Sequence, residues 1–329
     1  MTAQKPHVFM TRRLPQKALL GLSEIVDLDI WEESSPPPVD ILAKRMLHAE
    51  GLVYMLTDPI SADLLEHSGG NLQVISQMAV GYDNIDLVSA TLRHIPVGHT
   101  PGVLTDTTAD FAWALLMAAA RRVVEADREV HRGIWRPWGP EVLCGVDIHG
   151  ATLGIVGLGR IGQAMARRAR GFDMEILYTD QHQNPAFEKE LGLEFVSLDE
   201  LLTRSDFVSL HVFLSPETKG LIGAQQLQKM KSTAVLINTA RGPVVDSTAL
   251  AEALRTHTIA AAGLDVFDPE PISSGHALLS LPNAIITPHI ASASVHTRLK
   301  MAQMTIENLL AGLEGRRLPY CANPDVYKD

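Results

Sequence analysis

The chain has 329 residues, a formal net charge of −10, 46% hydrophobic residues and 20% charged residues. This composition is typical of a folded globular protein, and the length is sufficient for two domains with separate cores. The acidic balance argues against binding to nucleic acid or to an anionic membrane surface. The longest apolar run, residues 111–120, is too short to cross a bilayer, and the N-terminus lacks the apolar core of a signal peptide.

The two cysteines, Cys144 and Cys321, show neither metal-ligand spacing nor a disulfide framework. We therefore expect free thiols, no bound metal, and a protein of the reducing cytoplasm.

Through the first hundred residues, short apolar segments that predict strands alternate with segments compatible with helices. The predicted strands are residues 8–11, 26–30, 52–55, 72–76 and 95–98. The predicted helices are residues 16–22, 39–49, 62–67 and 87–93. Strands that alternate with helices indicate a parallel sheet, so this part of the chain predicts one α/β domain.

A strongly apolar helix is predicted next, over residues 111–120, after a cluster of threonine and aspartate at residues 105–110. The cluster supplies capping groups and places acidic side chains at the positive end of the helix. Because the helix is apolar nearly all round, we expect it to be buried between the two domains or between subunits. Residues 133–147, rich in tryptophan and proline, predict a long irregular connection.

The motif GLGRIG at residues 157–162 directly follows a predicted strand at 153–156 and opens an amphipathic helix. This is the context in which a dinucleotide fingerprint becomes significant, whereas the glycine pattern alone is weak. Gly157 is expected to allow the tight turn, Gly159 the approach of backbone to a pyrophosphate, and Gly162 the packing of helix on strand.

A second predicted strand, residues 174–179, ends at Asp180, which lies at about the expected distance of 20 residues for an acid that binds the adenosine ribose. A 2′-phosphate would repel this carboxylate, and residues 181–183 include no lysine or arginine to receive one. The pattern therefore predicts NAD as the cofactor, with NADH preferred over NADPH.

After Asp180 the alternation resumes. The predicted strands are residues 206–212, 234–238, 261–266 and 284–287, and the predicted helices are residues 198–203, 225–230, 247–255 and 295–313. We expect two Rossmann-like or flavodoxin-like domains, each a parallel sheet flanked by helices, with the C-terminal helix returning to the first domain. The predicted substrate domain is 1–103 with 293–329, and the predicted NAD-binding domain is 104–292.

In open parallel sheets, ligands bind beyond the carboxyl ends of the strands. Three predicted strands of the second domain are followed there by Arg241, Glu270 and His289. Arginine can hold a carboxylate by a bidentate hydrogen bond, histidine can donate a proton to a carbonyl oxygen near neutral pH, and a carboxylate beside an imidazole orients it. Each residue alone could be an ordinary polar loop residue, but together they predict a hydride-transfer site.

Several motifs make the sequence resemble the D-isomer-specific 2-hydroxyacid dehydrogenases over essentially its full length. They are GLGRIG (157–162), NTARG (238–242), GLDVF (263–267) and TPHI (287–290). Two more, AVGYDNID (79–86) and VLTDTTAD (103–110), are most similar to the glyoxylate/hydroxypyruvate reductase branch.

The resemblance implies that Arg241 binds the substrate, that His289 is the acid/base and that Glu270 is its partner. It also implies that the backbone of Val80 and Gly81 meets the substrate carboxylate. The positions implied to line the cofactor, with Asp265 near the carboxamide, are Thr108, Gly157, Gly159, Arg160, Ile161, Gly162, Asp180, His211, Val212, Pro216, Thr239, Ala240, Arg241, Asp265 and His289. A homodimer formed by the NAD-binding domains is a further implication.

The predicted activity is the reduction of glyoxylate or hydroxypyruvate, with hydride from NADH and a proton from His289. One alternative is an NAD-binding corepressor of the same fold, although such proteins usually carry extra tails for partners. Another alternative is a dehydrogenase for a different D-2-hydroxy acid. An assay of NADH oxidation across a panel of 2-oxo acids distinguishes these possibilities.

Overall fold

The computed structural model describes residues 5–328. The chain divides into two compact units. Unit 1 contains the described residues up to Leu104 and from Ala293 onward, and unit 2 is Thr105–Ser292. Each unit is built on one parallel sheet.

Unit 1 begins with five strands and four helices that alternate along the chain. The strands are β1 (His7–Met10), β2 (Asp27–Ile30), β3 (Gly51–Tyr54), β4 (Val74–Gln77) and β5 (Val97–Gly98). The helices are α1 (Leu22–Ile25), α2 (Val39–Met46), α3 (Ala62–Glu66) and α4 (Leu87–Leu92). The sheet order is β2-β1-β3-β4-β5, the flavodoxin-like order, and every pairing is parallel. β3 and β4 are buried along their whole length, as expected for a sheet covered on both faces.

The predicted helix over residues 16–22 is wrong. The structure has a 3₁₀ turn at Gln16–Ala18 and the separate one-turn helix α1 in this region. Gly21 lies between them with a φ of +76°, a left-handed conformation that interrupts a right-handed helix.

Unit 2 contains a seven-stranded parallel sheet of order β12-β11-β10-β9-β6-β7-β8. Its strands are β6 (Thr152–Val156), β7 (Glu175–Thr179), β8 (Leu193–Phe195), β9 (Phe207–Leu210), β10 (Val235–Asn238), β11 (Ala261–Leu264) and β12 (Ala284–Ile286). Its helices are α5 (Thr105–Ala120), α6 (Val123–His131), α7 (Arg160–Ala169), α8 (Pro185–Leu191), α9 (Leu198–Arg204), α10 (Ala224–Lys229) and α11 (Ser247–Arg255). The strand order reverses at β6, so the carboxyl end of β6 is the topological switch point at which ligands bind in such sheets.

Helix α5 differs from the prediction in its start. It begins at Thr105, so the threonine and aspartate cluster forms its first turns, and Thr108 is buried there rather than acting as a cap. The helix packs on α7 and on β10 and β11 of its own unit, where its small alanine side chains allow close approach. The sheet of unit 2 therefore covers much of the apolar surface of α5, while Met117 is 40% exposed, and the expected burial between domains or subunits stays a prediction.

Three elements of unit 2 were missed by the sequence prediction: α6, α8 and β8. Helix α6 is amphipathic, a pattern that the prediction overlooked, although none of its residues is buried; α8 is short and buries only Leu191. β8 is a three-residue edge strand, which is too short for a periodic pattern.

The final helix, α12 (Val295–Leu313), belongs to unit 1 and packs on β3 and β4. Two glycines permit this contact. A Cβ on Gly312 would lie 2.4 Å from Val74 Cβ, and a Cβ on Gly51 would lie 2.7 Å from Leu309 Cδ1. The prediction that the C-terminal helix returns to the first domain is confirmed. Within residues 5–328, no helix has the length and apolar character needed to cross a membrane.

Candidate active site

The fingerprint loop follows β6 and depends on two glycines because backbone segments approach closely. Gly157 has a φ of +94°, and a Cβ there would lie 2.9 Å from the carbonyl carbon and oxygen of His211. A Cβ on Gly162 would lie 2.2 Å from the carbonyl oxygen of Gly157. Real Cβ atoms do not approach other atoms so closely, so any side chain at either position would force the loop away from β9 or α7 away from the loop.

Gly159 is different, because a Cβ there would meet no protein atom within 4 Å. It is the residue before α7, and no side chain caps that helix. The first N–H groups of α7, which include those of Arg160 and Ile161, therefore point toward open space with the positive end of the helix dipole. This combination of an open glycine and an uncapped helix fits a bound pyrophosphate.

Asp180 follows β7 beside this loop and is held by two backbone groups. Its Oδ2 accepts a hydrogen bond from Leu158 N at 2.6 Å, and its Oδ1 accepts one from Gln181 N at 2.7 Å. The bond to Leu158 ties the carboxylate to the middle of the fingerprint. A carboxylate has about four acceptor positions, so two remain for ribose hydroxyls.

His211 and Val212 follow β9 on the other side of β6, and Pro216 lies four residues beyond Val212. The Nε2 of His211 lies 2.9 Å from the hydroxyl of the buried Ser209. Burial of the ring lowers the pKa of His211 to about 3, so this imidazole is neutral at ordinary pH. It offers a neutral polar surface beside the fingerprint.

The loop after β10 carries Thr239, Ala240 and Arg241 and is shaped by Asn238. The Asn238 side chain donates to the carbonyl of Arg241 at 2.9 Å and accepts from Ala240 N at 3.0 Å. The hydroxyl of Thr239 is buried and has no hydrogen-bond partner among the described residues. An orphaned buried hydroxyl is uncommon in native proteins, and here it fits a group that a cofactor would supply.

The loop of Arg241 lies against the loop that follows β11. A Cβ on Gly242 would lie 2.0 Å from the carbonyl group of Phe267, so the two backbones are in direct contact. Arg241 donates from Nη1 to the carbonyl of Ala240 at 2.9 Å, and its positive charge contributes to lowering the pKa of Glu270. The structure thus places Arg241 and Glu270 on neighbouring loops of one sheet edge.

Glu270 and His289 form a hydrogen-bonded pair. Glu270 Oε2 accepts from His289 Nδ1 at 2.8 Å, and its Oε1 accepts from Phe267 N at 2.9 Å. Burial alone would raise the pKa of Glu270, but the hydrogen bond and charge of His289, with Phe267 N–H and Arg241, lower it below its usual value. Since the carboxylate accepts the Nδ1 proton, Nε2 is the ring nitrogen left for chemistry.

Asp265 holds the loop that carries His289. This carboxylate is fully buried and accepts hydrogen bonds from Thr287 Oγ1 at 2.6 Å, Ile290 N at 2.8 Å and Ala291 N at 2.7 Å. Burial raises the pKa of Asp265 despite these hydrogen bonds. His289 itself has a φ of 54°, a left-handed conformation that costs about 1 kcal/mol or more and that this loop anchoring maintains.

The role of Asp265 toward this loop was not predicted from the sequence. Its partners lie 22 to 26 residues along the chain, and no spacing rule connects an aspartate to backbone N–H groups at that distance.

The predicted site residue Thr108 lies in the buried part of α5.

Val80 and Gly81 lie in unit 1, in the loop after β4. Thr100 N donates to Ala79 O at 2.8 Å, and the ring of His99 lies 3.0 Å from Val80 O through Nδ1. No described residue accepts a hydrogen bond from the N–H of Val80 or of Gly81, and Gly81 is buried. Two adjacent unpaired donors of this kind form a site suited to an anion such as a carboxylate.

Asn84 joins this loop to the loop after β3. Its side chain donates to Met55 O at 3.1 Å and to Asp58 O at 2.9 Å, and it accepts from Gln77 Nε2 at 2.7 Å. Asp58 is buried in turn and accepts from Thr11 Oγ1 at 2.5 Å. The loop that carries the N–H groups of Val80 and Gly81 is therefore held by hydrogen bonds to the segments that follow neighbouring strands.

With this geometry established, comparison with known proteins identifies the family. Residues 113–291 match the family model "D-isomer specific 2-hydroxyacid dehydrogenase, NAD binding domain". A glyoxylate reductase of Korarchaeum cryptofilum is 53% identical over 325 residues, which cover 98% of each chain. The chain belongs to the D-isomer-specific 2-hydroxyacid dehydrogenases. The resemblance to this family and to its glyoxylate reductase branch is confirmed.

Solved structures agree with this assignment. The crystal structure of the TT0316 protein from Thermus thermophilus is 48% identical, with a TM-score of 0.90 over 96% of this chain and 99% of that chain. An NADPH-dependent glyoxylate/hydroxypyruvate reductase from Sinorhizobium meliloti, in complex with NADP and malonate, is 30% identical, with a TM-score of 0.84 over 98% of each chain. The chain is therefore an oxidoreductase with an NAD(P)-binding domain, from a family that acts on small 2-oxo and 2-hydroxy acids.

Proposed function

We propose that this dehydrogenase is an NADH-dependent reductase of glyoxylate and hydroxypyruvate. The observation that carries the proposal is the hydrogen-bonded pair of His289 and Glu270, with Arg241 on the neighbouring loop, at the carboxyl edge of a dinucleotide-binding sheet. The glyoxylate reductases among its relatives, at 45–53% identity over nearly the whole chain, support the choice of substrate.

In the proposed mechanism, the guanidinium of Arg241 binds the substrate through its carboxylate, because a planar fork of donors matches two carboxylate oxygens. The N–H groups of Val80 and Gly81 also donate to that carboxylate. A dinucleotide held by the fingerprint loop and Asp180 would supply the hydride for the carbonyl carbon. As negative charge develops on the carbonyl oxygen, His289 donates its Nε2 proton there and completes the hydroxyl group.

Glu270 has two tasks in this scheme. Its hydrogen bond to Nδ1 fixes the ring of His289 so that Nε2 is the donor, and its negative charge stabilises the protonated ring before transfer. Asp265 acts through the loop, since it holds the backbone on either side of His289 and so fixes where the ring lies.

The test of the activity uses the purified full chain and follows the loss of NADH absorbance with a panel of 2-oxo acids. Glyoxylate and hydroxypyruvate are expected to give saturable turnover, and an aldehyde that lacks a carboxylate is expected to give almost none, because Arg241 would have no anion to bind. A protein that binds NADH but reduces no member of the panel would instead favour the corepressor-like alternative.

The proposed preference for NADH rests on Asp180. Its position beside the fingerprint and its two free acceptor sites suit ribose hydroxyls, whereas a 2′-phosphate would lie next to a like charge. Residues 181–183 supply no lysine or arginine. We expect kcat/KM for NADH to exceed that for NADPH by roughly ten- to a thousandfold.

The double change Asp180→Ser with Gln181→Arg should narrow or invert this ratio. A matched control is Asp173→Ser, which removes an exposed aspartate of the same unit whose partner is His149 on the surface. Equal efficiency with the two cofactors in the unmutated enzyme would contradict the role of Asp180.

We also propose that the enzyme is a homodimer formed through unit 2. Large apolar side chains are exposed along one segment of that unit, with Trp138 at 90%, Trp135 at 79% and Val123 at 53% exposure. An exposed apolar surface of this kind is typical of a subunit interface. Analytical ultracentrifugation should give twice the chain mass of 35.8 kDa, and a monomer would contradict the proposal.

A cytoplasmic location is part of the same proposal. Cys144 and Cys321 are both free thiols, as expected in a reducing compartment, and Cys144 is exposed.

A further inference from the structure

The peptide bond between Val80 and Gly81 is held at one end and open at the other. Its carbonyl, on Val80, lies 3.0 Å from the ring Nδ1 of His99. Its N–H, on Gly81, has no acceptor among the described residues. Because a carbonyl oxygen can only accept, Nδ1 of His99 must carry the proton in this contact.

The backbone of His99 is held by two hydrogen bonds, and its ring packs against a neighbouring ring. His99 N donates to Tyr320 O at 3.0 Å, and Asn308 Nδ2 donates to His99 O at 3.0 Å. Gly98 lies so close to α12 that a Cβ there would be 2.6 Å from Asn308 Cβ. The ring also meets Tyr82 edge-on, with the ring centroids 5.5 Å apart.

The C=O and the N–H of one peptide group are electronically coupled. A hydrogen bond donated to the carbonyl draws charge toward oxygen and makes the N–H of the same group a stronger donor. His99 therefore acts on the N–H of Gly81 without touching a ligand bound there.

We propose that His99 is a positioning residue for the substrate. By donating to Val80 O, its ring orients and polarises the peptide group whose N–H binds the substrate carboxylate. This inference rests on the proposed function, in which the Val80 and Gly81 backbone receives the carboxylate of a 2-oxo acid.

The loop has other supports, so the ring of His99 is not needed to keep it folded. Thr100 N binds Ala79 O, and Asn84 ties the end of the loop to Met55 and Asp58. Loss of the His99 donor should therefore alter substrate affinity while the rest of the loop stays in place.

The test compares His99→Phe with His99→Asn. Phenylalanine keeps a ring against Tyr82 and removes the donor, whereas asparagine can place a side-chain N–H near the position of Nδ1. We expect His99→Phe to raise KM for glyoxylate by about two- to tenfold, the range for one hydrogen bond. Turnover at saturation and KM for NADH should change by less than about twofold, because the contact is the same in ground and transition states.

His99→Asn is expected to return KM for glyoxylate to within about twofold of the unmutated enzyme. The matched control is His67→Phe, since the Nδ1 of His67 also lies 2.8 Å from a carbonyl oxygen, that of Asp63, on an exposed helix of the same unit. This control should leave every kinetic constant unchanged.

An unchanged KM for glyoxylate in His99→Phe, or an equal rise in His99→Phe and His99→Asn, would overturn the inference while the proposed function stood. A fall in kcat, with KM unaltered, would also overturn it. If the unmutated enzyme reduces no 2-oxo acid, the proposed function fails first and the inference fails with it.

Discussion

The two units use the same edge of a parallel sheet for different purposes. At the carboxyl edge of unit 2, the groups to which we assign the chemistry are ionisable side chains: Arg241, Glu270 and His289. At the carboxyl edge of unit 1, the available groups are backbone donors, the N–H groups of Val80 and Gly81.

The difference extends to how each edge is supported. In unit 2, a buried carboxylate, Asp265, anchors the loop of a single reactive side chain. In unit 1, neutral amides brace one loop against another through Asn84 and Gln77. We infer that changes at the unit 2 edge will reduce turnover, and that changes at the unit 1 edge will alter stability or substrate affinity.

The largest expected effect comes from His289→Ala. General acid catalysis typically contributes about 100- to 10,000-fold, so kcat should fall by that factor while NADH binding stays nearly unchanged. The measurement is steady-state kinetics with glyoxylate, combined with a titration of NADH. The matched control is His149→Ala, because His149 also pairs with a carboxylate, that of Asp173 at 3.1 Å, but on the exposed surface. Near-normal kcat in His289→Ala would remove this residue from the mechanism.

An intermediate effect is expected from Glu270→Gln, which keeps an oxygen acceptor for His289 Nδ1 and removes the charge. A charge-assisted hydrogen bond contributes about 1.5–3 kcal/mol, so kcat/KM should fall by roughly ten- to a hundredfold.

The same variant gives a pH test. The pKa of Glu270 is lowered in the folded enzyme, so the ionised carboxylate stabilises the fold at pH values above the unfolded pKa of about 4.3. That stabilisation is lost as the pH falls through the folded value. The difference in unfolding free energy between wild type and Glu270→Gln should persist down to about pH 5 and should shrink only below about pH 4, because that is where the carboxylate becomes protonated. A difference that declines already between about pH 6 and 5 would contradict the lowered pKa.

The smallest effect on turnover is expected at the unit 1 edge, from Asn84→Ala. This change leaves the carbonyl groups of Met55 and Asp58 without their donor, which should lower the unfolding free energy by about 1–3 kcal/mol. Saturating turnover should stay within about threefold of wild type, because no catalytic side chain moves. Gln225→Ala, an exposed amide on α10, is the control for stability. A fall in the kcat of Asn84→Ala by about tenfold or more, the lower limit of the fall in kcat/KM expected for Glu270→Gln, would contradict this difference between the two edges.

The sequence predicted those helices and strands whose capping or burial also leaves a recognisable pattern of residues. Helix α11 and helix α12 begin and end at the predicted residues, because capping side chains, Asp246 and Ser294, stand directly before their apolar faces. Strands such as β9 and β10 were found because every residue in them is buried and they read as apolar runs. Helix α6 was missed although its sequence is amphipathic, and none of its residues is buried within this chain.

At the candidate site, the sequence supplied the reactive residue types but not the contacts that hold them. Strand ends predicted that Arg241, Glu270 and His289 lie along one edge, which needs only the rule for parallel sheets. The hydrogen bonds of Asp265 to Ile290 and Ala291, and of His99 to Val80, join residues that only the folded backbone brings together. The left-handed conformation of His289 likewise follows from that anchoring rather than from the residue itself.

In the proposed mechanism, His289 at the unit 2 edge protonates the substrate, and the reduction of a 2-oxo acid gives the D-isomer that is typical of this family. Hydroxypyruvate tests it most directly, because its reduction product is chiral whereas that of glyoxylate is not. The purified enzyme is incubated with NADH and hydroxypyruvate, and the glycerate is resolved by chiral chromatography. We predict one D-glycerate for each NADH consumed by wild type and by His149→Ala, and almost none from His289→Ala. Formation of L-glycerate, or undiminished formation of D-glycerate by His289→Ala, would contradict this mechanism.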